Sequence, residues 1–294
     1  IEAYKNIIKN HIKPKLGFYR LCQITTATIQ EFVNNTYVEY GYSKNFMKNI
    51  LKVLKTSFTY ATDVVGFVKE NPTVKVKLPK YDKPDEDPAH IFTKEEVDII
   101  LNRFKKNHCA YYAMLTAYHT GLRVSEVFGL TWNDIDLENR IIKINKTVYA
   151  KDKEENGRWY LGTTKTIGSS REVYICDTLY SVLSDYKNLQ VKYKKEYCKK
   201  YKRYTLKEIK NKYGKLVEYK VIESQSRNNK IQMVFTRKDG TYSGTDIIRY
   251  PFRIIHHELG IQCRFYDLRG SFATISLRNG CEIKNISEIL GHKR

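Results

Sequence analysis

The sequence predicts a mainly α protein with a small antiparallel β-sheet, laid out as a helical unit followed by an α+β unit. Three observations carry that prediction. Apolar residues recur at helical spacing through the first 68 residues and again through the last third of the chain. Three runs rich in β-branched and aromatic residues, 140–148, 158–164 and 171–175, read as strands. Between the halves lies a stretch, 71–88, that holds four of the chain's six prolines and has no helical period.

The 294 residues suffice for one large domain or two ordinary ones, each with a real core. Residues 1–70 are expected to form the helical unit. Thr25 can cap a helix carrying Ile29, Phe32 and Val33. Ser43 begins another, in which Phe46, Ile50, Leu54 and Phe58 recur every four residues as one apolar stripe. Its other faces carry Lys44, Asn45, Lys48, Lys52 and Lys55, which suit either plain solvation or a row of phosphates. Residues 71–88 then read as a basic interdomain linker drawn out by its prolines, with Lys75, Lys77, Lys80 and Lys83 along it.

A second domain is expected over 89–294. It opens on a capping box, Thr93-Lys-Glu-Glu96. A helix from about Cys109 to His119 stops at Gly121, and a short helix holds Val124, Val127 and Phe128. After the strands, a long helical stretch places Leu179, Leu183, Tyr186, Tyr193, Tyr197, Tyr201 and Tyr204 along one face. It runs into a basic insertion at about 187–232, where residues 187–220 hold 13 Lys or Arg against three acidic residues. The lysines suit a nucleic-acid surface. The tyrosine rings suit packing on their own domain better than base stacking. Three closing helices are expected at 247–259, at 266–279 capped by Gly280, and at 283–290 ended by Gly291.

Charge narrows the partner. Lys and Arg number 52 against 32 Asp and Glu, a formal +20. A merely soluble basic protein is one reading, but so large an excess points first to nucleic acid. With 41% apolar and 29% charged residues the composition is that of a soluble globular protein. No run of about 18 apolar residues and no signal-peptide pattern is present, so neither membrane nor secretion is expected. Helix-like sequence begins at once, with no initiator Met, so the chain reads as a fragment of something longer. Six scattered cysteines without a C-x-x-C pair argue against a zinc site or a disulfide framework, and for reduced cytosolic thiols.

Other chemistry finds little foothold. Asp134, Asp136 and Glu138 lie in a turn-like segment, where such residues serve local backbone bonding more often than a metal. His257-Glu258 begins like a zinc-protease signature, but Ile stands at 261. No P-loop, G-x-S-x-G or G-x-G-x-x-G occurs. No metal and no cofactor is expected.

Three runs carry a resemblance. His119-Thr-Gly-Leu-Arg-Val-Ser-Glu126 resembles the first arginine box of tyrosine recombinases, Tyr266-Asp-Leu-Arg-Gly-Ser-Phe-Ala-Thr274 the second, and Leu290-Gly-His-Lys293 the third. All occur in the family's order. Upstream, His11-Ile-Lys-Pro-Lys-Leu-Gly17 and the helix ending Phe58-Thr-Tyr-Ala61 are similar to that family's core-binding domain. The basic insertion and the form of the second box resemble conjugative-transposon integrases in particular.

The resemblance implies a core-binding domain followed by an α+β catalytic domain. It also implies transesterification at a DNA phosphodiester through a 3′-phosphotyrosyl link, needing neither metal nor ATP. Without a metal, the charge developing at phosphorus must be met by side chains, and paired guanidinium donors do this best. Arg123 and Arg269 are the implied pair. Lys165, in the turn 162–171 between the second and third expected strands, is the implied donor of a proton to the leaving 5′-oxygen. His292 is the implied third-box group. Tyr266 stands where the family usually has His, and Gly270 where His often follows. Tyr266 can donate a hydrogen bond to phosphate, but a phenol is a poor general base at neutral pH. Arg171 joins the lysines at 44, 48, 52, 55, 75 and 77 and Asn45 as expected DNA contacts.

The family's nucleophilic tyrosine lies several residues beyond the third-box His, so here it is expected after Arg294. The chain as it stands is then expected to bind DNA without cleaving it. Expected partners are double-stranded DNA at attachment or transposon-end sites and further copies of the protein, from dimer to tetramer. The expected location is the bacterial cytoplasm, at the nucleoid. A non-catalytic DNA-binding regulator on the same scaffold, or a type IB topoisomerase, are the alternatives.

Overall fold

The computed structural model describes residues 2–81, 89–106, 108–151, 158–163, 170–224 and 230–291. The chain divides into two compact units, 1–88 and 89–294.

In the first unit, α1 (Glu2–Ile7) continues through a π-helical turn at Ile8–Ile12 into α2 (Lys13–Leu16). Helix α3 (Thr26–Tyr40) starts where Thr25 Oγ1 accepts from Thr28 N at 3.2 Å, and ends at Gly41, whose φ is +59°. Helix α4 (Lys44–Thr59) starts where Ser43 Oγ accepts from Phe46 N at 3.3 Å. Ile50, Leu54 and Phe58 of the expected stripe are buried with Met47, Leu51 and Val53 in a core shared with Ile29, Phe32 and Val33 of α3. The opposite side of α4 leaves Asn45, Lys48, Lys52 and Lys55 exposed, with Lys44 half-exposed.

Part of the expected linker packs on this unit. Val76 is buried in its core, and the Gln30 amide both donates to Lys77 O and accepts from Lys77 N, at 2.9 Å each. One side chain thus satisfies a backbone position that no strand or helix serves. The side chains of Lys75 and Lys77 stay exposed.

The second unit opens with α5 (Lys94–Phe104) on the expected capping box. Thr93 Oγ1 accepts from Glu96 N at 3.2 Å, and Glu96 Oε2 accepts from Thr93 N at 2.9 Å. Helices α6 (His108–Thr120) and α7 (Val124–Val127) come next, then five strands: β1 (Ile135–Asp136), β2 (Ile141–Ile144), β3 (Lys146–Ala150), β4 (Trp159–Thr163) and β5 (Arg171–Tyr174). All pairings are antiparallel, and β1, β2 and β5 form one sheet in that order.

The run 140–148, expected as a single strand, is two. It passes from β2, paired with β5, to β3, paired with β4 in a second sheet. At the crossing Lys146 points inward among buried neighbours, and Asp134 neutralises its ammonium at 2.6 Å.

Helix α8 (Asp177–Tyr197) ends sooner than its tyrosines suggest. Beyond it the chain forms a hairpin, β6 (Tyr204–Lys210) and β7 (Leu216–Glu223), giving a second sheet ordered β3-β4-β7-β6. The hairpin turn is built by Asn211, whose Oδ1 accepts from Tyr213 N and Lys215 N at 2.9 and 3.0 Å, and by Gly214 at φ +75°. Tyr186 and Tyr201 are buried within their own unit, as the packing reading of the rings expects.

Helices α9 (Arg249–His257), α10 (Asp267–Arg278) and α11 (Ile283–Leu290) complete the chain. Helices α8 and α10 both pack on α6, whose Ala110, Ala113 and Ala117 are fully buried and allow close approach. None of the six cysteines is in a disulfide. Among the described residues, no helix is long and apolar enough to cross a membrane.

Candidate active site

The three boxes meet around one buried guanidinium. Helix α6 terminates because Gly121 takes φ +65°, which turns the chain out of the helix. A Cβ at Gly121 would lie 2.6 Å from both Leu290 Cδ2 and Phe272 Cδ1, so only glycine fits between α11 and α10. Arg269, on the inner face of α10, is 3% exposed. Its Nη1 donates to Gly121 O at 2.8 Å and its Nη2 to Leu290 O at 2.6 Å. One side chain of the second box therefore holds the backbone of the first box and of the third. Burial, then the charge of Arg123, lowers the Arg269 pKa to about 10. The group remains a cation at neutral pH.

Arg123 lies at the start of α7. Its backbone N donates to Glu126 Oε2 and its Nη1 to Glu126 Oε1, both at 2.9 Å. Its side chain is 38% exposed, so it is anchored at one end and open to solvent at the other. Arg269 holds the backbone of Gly121, two residues before Arg123, and feels the Arg123 charge.

Glu126 also takes two bonds from Arg171 at the head of β5: Nη1 to Oε1 at 3.0 Å and Nη2 to Oε2 at 2.9 Å. Arg171 Nε donates to Ile289 O at 2.5 Å. Its side chain is only 8% exposed. Arg171, expected on the DNA-facing surface, is instead an internal strut, because a carboxylate buried beside the first box needs a second cation to stay ionised. Burial raises the Glu126 carboxyl, but the hydrogen bonds and charge of Arg171, with those of Arg123, outweigh it and hold the group below its ordinary value.

Tyr266 precedes α10 and is exposed. Beneath it, Asp267 is buried and accepts from Arg264 N at 2.7 Å, and Ser271 Oγ accepts from Phe92 N at 2.9 Å. These bonds fix the start of α10, and with it Arg269. His119 is half-buried with Nδ1 3.8 Å from Cys176 Sγ, and burial lowers its pKa.

Lys165 and His292 lie outside the described residues. Of the other lysines near that turn, Lys146 is paired with Asp134, and Lys151 pairs with Glu218 and lies over the Tyr160 ring. Among the described residues no three His, Cys, Asp or Glu side chains are grouped to hold a metal ion. Sequence reasoning missed Glu126 and the role of Arg171. Arg123-x-x-Glu126 has capping-box spacing, which was a signal for the first. Nothing local signals the second, 45 residues further on.

An α+β unit that gathers these arginines under a shared turn defines a class, and the comparisons name it. The phage integrase family matches residues 90–294, and the phage integrase N-terminal SAM-like domain matches residues 1–37. The chain belongs to the phage integrase family. It is 28% identical to a tyrosine recombinase XerC-like protein of Caldanaerobacter subterraneus subsp. tengcongensis, over 98% of this chain and 68% of that protein. It is 31% identical to the integrase of Staphylococcus phage L54a, over 62% of this chain and 55% of that one. To the transposase from transposon Tn916 of Enterococcus faecalis it is 30% identical, over 60% of this chain and 44% of that one. The chain thus spans about two thirds of the first relative and about half of the other two.

Among solved structures, the Tn1549 transposon integrase in complex with a circular intermediate DNA shares the fold at TM-score 0.73 and 18% identity, over 99% of this chain and 84% of that one. A lambda integrase dimer bound to a core site shares it at TM-score 0.66 and 18% identity, over 100% and 84%. The mainly α fold with small antiparallel sheets is therefore that of the tyrosine recombinases, and the chain is similar to those of conjugative transposons.

Proposed function

We propose that the protein is a site-specific recombinase, an integrase or transposase of a mobile element, that cuts and rejoins double-stranded DNA without metal or ATP. The observation that supports this reading is the bond from Arg269 to Gly121, two residues before Arg123, with the Arg123 charge felt at Arg269. In the proposed reaction a tyrosine hydroxyl attacks a backbone phosphorus. The bond to the 5′-oxygen breaks, and a 3′-phosphotyrosyl link and a free 5′-hydroxyl result. A 5′-hydroxyl of another strand reverses the step, so the phosphodiester energy is conserved in the covalent link.

Arg123 and Arg269 receive the charge that builds on the nonbridging oxygens. Lys165 supplies the proton to the departing 5′-oxygen. His292 and Tyr266 donate hydrogen bonds to the phosphate. The exposed lysines of α4, with Asn45, Lys75 and Lys77, hold DNA backbone. The attacking tyrosine is proposed to lie downstream of the third box, as in the tyrosine recombinases that the chain resembles. The working state is an assembly of two to four copies on DNA in the bacterial cytoplasm, at the nucleoid.

The test uses the protein with its downstream tyrosine and nicked DNA carrying its site, and measures phosphotyrosyl adduct and DNA affinity. Arg123→Ala and Arg269→Ala should each lower adduct formation about 10²–10³-fold, with binding largely kept. Adduct formed at the unaltered rate by either variant sinks the reading. Binding without any cleavage by the unaltered protein favours a regulator, and relaxation without strand exchange favours a topoisomerase.

A further inference from the structure

Arg171 takes no part in the proposed chemistry, although it is among the most heavily engaged side chains of the site. Its guanidinium spans both oxygens of Glu126 at 2.9 and 3.0 Å and reaches Ile289 O at 2.5 Å. The same Glu126 oxygens are shared with Arg123, through Nη1 and the backbone N. On the other side Arg171 lies against Gly291, where an added Cβ would come within 3.2 Å of Nη1 and 3.3 Å of Cδ. The residue therefore touches the carboxylate that aims Arg123 and the backbone that leads into His292. It occupies the head of β5.

Resting on the recombinase reading, we propose that Arg171 is a positioning residue that sets Arg123 and the end of α11 in register with one another. It needs no contact with DNA for this. Its planar fork fits the two carboxylate oxygens, and its third donor, Nε, is left for the α11 carbonyl. A lysine offers a point charge and cannot span all three acceptors. With Arg171 in place Glu126 is ionised and directs one edge of Arg123 inward, leaving the other for phosphate. Without it, the buried carboxyl faces only Arg123 from its own helix start and Arg269 from α10, and it takes up a proton more readily.

The experiment compares Arg171→Met and Arg171→Lys in the protein with its downstream tyrosine, scoring DNA affinity against salt, adduct rate against pH, and melting temperature. Both variants are expected to keep DNA affinity and the salt slope, and to lose adduct formation on the order of 10²-fold, the scale of a small misplacement of a reacting group. The acidic limb of the rate profile should move to higher pH in both, and further in Arg171→Met, because Glu126 then keeps only Arg123 and Arg269, whereas Arg171→Lys leaves a cation that cannot hold both carboxylate oxygens. A role in fold stability alone would lower the melting temperature without moving that limb, and would overturn the proposal. So would a loss of affinity with the salt slope reduced by about one, the mark of a phosphate contact. So too would unaltered cleavage by Arg171→Met while Arg123→Ala is inactive. Should Arg171→Met not fold, Arg171→Lys decides by the same limb and salt slope. If Arg123→Ala itself cleaves normally, the recombinase reading fails first.

Discussion

At the scale of single residues, the site is held by groups that tolerate little exchange. Gly121 combines a left-handed backbone with contact on two sides. Gly121→Ala should cost at least about 1–2 kcal/mol from the backbone alone, with more from the clash with Leu290 and Phe272, and denaturant unfolding of the variant reads it directly. Glu126 makes a pH prediction with a definite sign. Its folded pKa is lowered, so the stability it contributes is present above the ordinary glutamate range and is lost as pH falls through the folded value. Glu126→Gln leaves Arg171 buried with half its partners and should cost about 3–5 kcal/mol at neutral pH. That gap should narrow on acidification. A gap unchanged between neutral and strongly acidic solution would contradict the ionised pair.

At the scale of elements, local chemistry decides where helices begin. Ser43→Ala should destabilise the first unit by about 1 kcal/mol, seen as a lower unfolding midpoint at unchanged denaturant slope. Caps and stripes of this kind were legible in the sequence: Thr25, Ser43, the Thr93–Glu96 box, and the stop at Gly291 all stand where the residues predict. So were the helix-rich fold class and the proximity of the boxes carrying Arg123 and Arg269. Less legible were features that depend on distant partners. The run 140–148 divides because its two halves pair with different strands, β5 and β4, which no window of sequence reveals. The tyrosine series misled past Tyr197, because a spacing of three or four residues continues by chance into β6. The Asn211 and Gly214 turn was the better signal. Arg171 looked like a surface cation until a buried Glu126 was placed before it.

At the scale of the whole molecule, the formal +20 charge bears on association more than on fold. With about 6–10 phosphate contacts, DNA affinity should fall about 10³–10⁵-fold between 50 and 200 mM salt, and a flat titration would contradict a backbone-holding surface. The hairpin ending the second sheet adds a consequence of its own. Strand β6 is the last in the order β3-β4-β7-β6 and carries Lys207 and Lys210 in exposed positions. An exposed edge strand is a template for pairing with a second molecule, and the charged side chains of Lys207, Glu208 and Lys210 along this one hinder such pairing.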